Sequence, residues 1–237
     1  MFNNIVKDLI GQADIMTRCV LFGLFIASVF CFAIVLYKYL FFKKELKSLR
    51  MLEKKVREVK KFDDYLILRK EFSGTLGGDF LDRSLAELKK FLQKNIKIQP
   101  HSEGELESAK GLLSDDDVVH LDEILNQTVD HVLIDAEQYL PVLGTSAAVS
   151  PLVGLFGTVW GLIHAFINIS REKSADIVAI APGIAEALTT TLGGLIVAIP
   201  AMIFFHYFSN KIRKLEQILI AISDHFFNNI RRTFLKR

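Results

Sequence analysis

Two threonines and one glutamate are the polar groups of this chain that stand in an apolar setting where chemistry could be done. Thr158 lies in LVGLFGTVWGLIHAF (Leu152 to Phe166), and Glu186 and Thr191 lie in APGIAEALTTTLGGLIVAIPA (Ala181 to Ala201). A hydroxyl both donates and accepts, so it can hydrogen-bond a water chain or a carboxylic acid, but it holds no proton charge at physiological pH. Any proton path lined by such hydroxyls needs a titratable group from elsewhere. Glu186 is the nearest in this chain, because an ionised carboxylate within a membrane segment is costly and usually functional. Near the boundary it could equally be hydrated or paired with Arg171 or Lys173. His164 and His206 read as interfacial rather than as proton relays, and Trp160 as packing or an interface anchor.

Around these groups the small residues fall into two stripes. Ala147, Pro151, Gly154, Thr158, Gly161 and Ala165 follow steps of four and three, and so do Gly183, Ala187, Thr191, Gly194, Ala198 and Ala201. Such steps keep residues on one helical face, so each segment presents a narrow side with one hydroxyl at depth. One reading is tight helix packing, with threonine as interhelical hydrogen-bond glue worth about 0.5 to 2 kcal/mol. The other is an assembly of several copies with these faces turned inward around a passage. The stripes alone leave both open.

Other chemistries lack their signatures. There is no phosphate-binding glycine loop, HExxH, paired-cysteine metal spacing or nucleophile elbow, so neither an enzyme nor a metal or cofactor site is expected. Cys19 and Cys31 lie about 18 Å apart along one helix, which excludes a disulfide within it, and they read as packing residues. The three acids Asp115 to Asp117 after Ser114 lack calcium-loop spacing and read as a helix start. A net charge of +2 over 237 residues is too small to suggest nucleic acid, whereas 51% apolar residues point to a membrane.

The elements that must carry these residues are membrane helices. Gln138 to Ser170 is a 33-residue stretch without a formal charge, about 50 Å long as a helix against about 30 Å of bilayer core. Cys19 to Tyr37 gives 19 uncharged residues, and Ile177 to Asn210 has Glu186 as its only formal charge. The first reads as a retained helix facing mostly lipid rather than as a cleaved signal peptide, since no small-x-small cleavage site follows. Lys38 to Lys61 holds ten basic residues against three glutamates, and the tail beyond Asn210 holds seven against two acids. Both flanks are therefore expected to be cytoplasmic.

The expected organisation is all-α. A periplasmic segment (1–18) leads to transmembrane helix 1 (19–42) and a helical cytoplasmic insertion (43–137). Transmembrane helix 2 with its cytoplasmic extension (138–170) follows, then a periplasmic turn (171–176), transmembrane helix 3 (177–210) and a cytoplasmic C-terminal helix (211–237). Within the insertion, Leu46, Leu49, Leu52, Val56 and Val59 form one apolar face, and Val118, Leu121, Leu125, Val129 and Val132 another. SGTLGGD (Ser73 to Asp79) and QPHSEGE (Gln99 to Glu105) read as turns. The helix after Ser114 is expected to run into the second membrane segment, bending at Pro141.

The two segments LVGLFGTVWGLIHAF and APGIAEALTTTLGGLIVAIPA, in this order, resemble the TolQ/ExbB/MotA family of proton-channel proteins. The HAF after GTVWG leans toward its TolQ branch. The resemblance implies a ring of three-span subunits, a pentamer, in a bacterial inner membrane. It also implies a TolR-like single-span partner that supplies a membrane aspartate, and a TolA-like protein beyond it. Proton flow would then drive work on the outer membrane: envelope integrity and constriction in the TolQ branch, import in the ExbB branch. A passive scaffold is the alternative of another class. Carried over by position, Thr158 and Thr191 would be lumen hydroxyls and Glu186 the acid near the channel. The triplet Thr189, Thr190, Thr191 departs from the family pattern, and of the three Thr191 alone is placed on the small stripe.

Overall fold

The protein is described here from a computed structural model, which covers residues 15–59, 62–95, 115–172 and 177–234. The N-terminal segment before Ile15, the QPHSEGE turn, the Ser114 cap and Lys173 lie outside the described residues. Six helices make up the rest: α1 (Ile15–Glu58), α2 (Asp63–Glu71), α3 (Leu76–Asn95), α4 (Asp115–Glu137), α5 (Leu140–Glu172) and α6 (Ile177–Phe234). Three contain stretches long and apolar enough to cross a membrane: α1, Leu140–Ile167 of α5 and Ala181–Phe234 of α6. α6 is one helix of 58 residues, running past Asn210 without a break. It holds Pro182 and Pro200 and still continues, as helices in apolar surroundings do when neighbouring groups satisfy the freed carbonyls.

The chain divides into two compact units. The first holds α1 up to Lys38, then Tyr139 to Ser209. In it Val20 and Leu24 of α1 form a buried cluster with Val197 of α6, with Ala27 and Val153 packed against it. The opposite face of α1 leaves Phe22, Phe25, Phe30 and Phe32 exposed.

The second unit holds Tyr39 to Gln138 and Asn210 onward. Leu49, Leu52 and Val56 are buried, as are all five residues of the α4 stripe, so the periodicity of the insertion matches its core. The SGTLGGD segment splits its glycines between two tasks. Gly74 adopts φ +74°, a turn conformation natural to glycine, whereas Gly77 lies inside α3 where a Cβ would come 2.5 Å from the Leu52 side chain. Thr75 caps α3, its Oγ1 accepting the Gly78 N–H at 3.3 Å. The buried Glu45 carboxylate accepts the Leu76 N–H at 2.9 Å, satisfying another free N–H at the same N-terminal end from 31 residues away. Burial pushes the Glu45 carboxyl above its ordinary range; the Leu76 N–H and Lys44 work against the shift and Asp79 adds to it.

A second anchor is aromatic. Tyr65 meets Phe226 edge-on at 4.9 Å, Phe62 meets Phe234 at 5.4 Å, and the Tyr65 hydroxyl accepts a hydrogen bond from Asn229 Nδ2 at 2.7 Å. Burial raises the Tyr65 phenol from 10.0 to about 12, against the Asn229 bond, which lowers it.

The junction ahead of α5 corrects one expectation. α4 stops at Glu137, and the turn falls at Gln138 and Tyr139, with Tyr139 at φ 68°. Pro141 does not bend a continuous helix; it sits in the first turn of α5, where its missing N–H leaves no hydrogen bond unmade.

Candidate functional site

Helices α5 and α6 run antiparallel through the first unit and touch along their small residues. A Cβ at Gly194 would stand 2.5 Å from the Ser150 carbonyl oxygen, and one at Gly161 would stand 2.8 Å from the Ala187 Cβ. Further along, one at Gly183 would lie 3.2 Å from the Ala165 Cβ. At the centre, one at Gly154 would lie 2.7 Å from the Thr190 carbonyl oxygen and 2.9 Å from the Thr191 Cα. Such approach of two backbones is what small residues permit in membrane helix pairs.

The two stripes therefore meet each other within one chain at Gly154, Gly161 and Ala165 on α5 and Gly183, Ala187 and Gly194 on α6. Ala147, Ala198 and Ala201 are buried as well, and Pro151 is half-buried. Contact between the stripes is a packing arrangement, and it takes these small groups out of any lumen wall in the single chain.

The hydroxyls differ in their surroundings. Thr158 is buried and its Oγ1 donates to the Leu155 carbonyl at 2.7 Å, back along its own helix. Thr191 is half-buried beside Gly154. Thr189 is half-buried and donates to the Ala185 carbonyl at 2.9 Å. Thr190 is completely buried and bridges the helices: its Oγ1 lies 2.9 Å from the Gly154 carbonyl and 2.7 Å from that of Ala187.

Thr190 thus also belongs to the packed face, and the placement of Thr191 alone on the stripe is corrected. Residue 190 lies three positions after Ala187 and four before Gly194, so it satisfies the same helical steps. Both threonines fit that periodicity, and the closeness of Gly157 explains which enters the contact. A Cβ at Gly157 would stand 2.5 Å from the Thr190 Oγ1.

Glu186 is half-buried, adjacent in sequence to the fully buried Ala187. His164 is half-buried and His206 is exposed, with its ring edge-on to Phe205 at 5.4 Å. Trp160 is exposed and tilted against Phe156 at 6.4 Å. Among the described residues no group of three or more His, Cys, Asp or Glu side chains is placed to hold a metal.

The same segments carry the similarity to known proteins. The model of the MotA/TolQ/ExbB proton channel family matches residues 84–220, which include α5 and the apolar part of α6. The biopolymer transport protein ExbB of Salmonella typhimurium is 30% identical over 205 residues, covering 85% of this chain and 76% of that protein. The Tol-Pal system protein TolQ of Haemophilus influenzae is 41% identical over 108 residues, 46% of this chain and 47% of that one. TolQ of Pseudomonas aeruginosa is 43% identical over 90 residues, 38% and 39% of the two chains. A family match over more than half of the chain, joined to a relative aligned along most of both sequences, leaves one conclusion. With its three apolar helices, the chain is a membrane protein that belongs to the MotA/TolQ/ExbB proton channel family.

Proposed function

We propose that the protein is a TolQ-like subunit of an inner-membrane motor driven by proton flow, acting on envelope integrity and on constriction at division. The observation that carries this reading is the pairing of α5 and α6 through small residues, in the two motif segments that hold Thr158 and Thr191. Five copies would surround a single-span, TolR-like partner whose membrane aspartate supplies the titratable group that hydroxyls lack. Thr158 and Thr191 would hydrogen-bond that carboxyl or its water chain, and Glu186 would stand near the outer mouth. The basic run after the first span and the basic tail support a cytoplasmic insertion and C-terminus, with the N-terminus outside.

The test is proton permeation into proteoliposomes holding the chain with its co-purified single-span partner. Partner-dependent permeation that Thr158→Val or Thr191→Val abolishes, with the complex still assembled, supports the pathway. Permeation unchanged in both variants overturns the hydroxyl role.

The long alignment with ExbB supports a second reading, an ExbB-like subunit energising import through the outer membrane. Complementation separates the two: the TolQ-like role requires rescue of a strain lacking TolQ, and rescue of a strain lacking ExbB alone supports the other.

A further inference from the structure

We propose that Thr190 is a positioning residue: it sets the register of α5 against α6, and through that register the places of Thr158 and Thr191. The second half of this statement rests on the proton-pathway reading above, whereas the register is independent of it.

Three observations carry the inference. The side chain is fully buried in a region whose outer surfaces are apolar, so its hydroxyl has no bulk water to turn to. Its Oγ1 lies within hydrogen-bond distance of two carbonyls, that of Ala187 on its own helix and that of Gly154 on the other. A hydroxyl carries one proton, so it shares that proton between the two carbonyls or serves them alternately. The cross-helix bond is the one that resists sliding, because a shift of α5 along α6 by a single residue would move the Gly154 carbonyl about 1.5 Å.

The third observation is shape. A Cβ at Gly157 would meet three side-chain atoms of Thr190: Oγ1 at 2.5 Å, Cβ at 2.7 Å and Cγ2 at 3.0 Å. The whole side chain therefore sits in the notch that Gly157 leaves open. A hydrogen bond on one side and a fitted notch on the other define a single axial position. Thr158, the residue after Gly157, bonds only within its own helix and makes no such tie. Thr189 likewise bonds only backward, to Ala185. Of the four hydroxyls, Thr190 alone has a hydrogen bond between helices among those resolved here.

Register can be read by cross-linking in membranes holding the full chain, with Cys19→Ser and Cys31→Ala as background. The pair Ala165→Cys and Gly183→Cys brings Cβ atoms to about the separation a disulfide needs. Trypsin and mass spectrometry then distinguish intrachain from interchain linkage. With Thr190 or Thr190→Ser, rapid intrachain closure is expected. Thr190→Val, which keeps the shape and loses the proton, is expected to close about threefold more slowly, as the loss of one interhelical hydrogen bond implies. Gly157→Ala should slow closure by filling the notch, and adding Thr190→Ala to it should restore the rate by emptying the notch from the other side.

Equal rates for Thr190→Val and the parent overturn the hydroxyl's role, and a double variant no faster than Gly157→Ala overturns the fitted seat. If Thr190→Val does not insert, the Gly157 series decides on its own. The same proteoliposome assay on Thr190→Val keeps the two claims apart. Altered cross-linking with no proton permeation even in the parent sinks the pathway reading and leaves the register proposal standing.

Discussion

The ammonium of Lys38 stands 6.0 Å from the centre of the Tyr139 ring, and Tyr139 holds φ 68°, the one positive φ at a non-glycine residue among those described. The same ammonium lies 5.8 Å from the Tyr37 ring, and the two tyrosines meet edge-on at 6.2 Å and 87°. Lys38 is 1% exposed, so its charge is carried by neighbours rather than by water. Ring contacts of this kind contribute about 0.5 to 2 kcal/mol each and can hold a backbone in a region that a bulky side chain disfavours.

Tyr139→Ala loses both ring contacts and keeps the left-handed backbone, whereas Tyr139→Gly loses the same contacts and removes the steric cost. That cost is about 1–2 kcal/mol. Thermal unfolding in detergent should therefore rank Tyr139→Phe above Tyr139→Gly and Tyr139→Gly above Tyr139→Ala. An alanine variant as stable as the glycine one would show that the backbone there is not strained.

Gly154→Ala and Gly194→Ala each drive a methyl group into the facing backbone, at 2.7 Å from the Thr190 carbonyl and 2.5 Å from that of Ser150. Backbone cannot rotate aside as a side chain can, so each should cost about 1–3 kcal/mol. Gly23→Ala in α1 is the control, with nothing within 4 Å of the added Cβ. Its unfolding temperature should match the parent's or exceed it, since alanine favours a helix over glycine.

The Glu45 carboxyl is pushed up on folding, so over the window above its ordinary 4.5 the folded state binds more protons than the unfolded one. Stability then falls as pH rises through that window and is recovered on acidification. Glu45→Gln keeps an acceptor for the Leu76 N–H and removes the titration. It should flatten this part of the stability profile, measured by unfolding at fixed pH steps; an unchanged slope would assign the dependence to other groups.

Tyr65 gives the opposite end of the pH scale. With its phenol at about 12 folded and about 10.0 unfolded, stability should fall as pH rises between the two. Tyr65→Phe abolishes that alkaline loss and costs about 0.5–1.5 kcal/mol at neutral pH, by leaving Asn229 without this acceptor. Difference absorbance during titration checks the first part and unfolding at neutral pH the second.

Much of this architecture was legible in the order of residues. Charge-free runs longer than a bilayer core require helices there, because an apolar solvent leaves the backbone no other partner. The apolar steps of Leu49, Leu52 and Val56, and of Val118 to Val132, were enough to name buried faces, since burial follows helical period wherever one side of a helix meets a core. The small stripes could be located for the same reason.

What periodicity could not decide is which neighbour a face meets and which of two adjacent residues enters the contact. A step of three and a step of four both stay on one face, so Thr190 and Thr191 were equal in sequence. Only the open notch at Gly157 and the carbonyl at Gly154 make Thr190 the one that bridges. The break before α5 has the same origin. Proline marks a local restriction and pointed to residue 141, but the turn is held at Tyr139 by rings and a lysine from α1, distant in sequence. Local sequence sets what each segment can be; contacts between segments far apart in the chain select among the positions it allows.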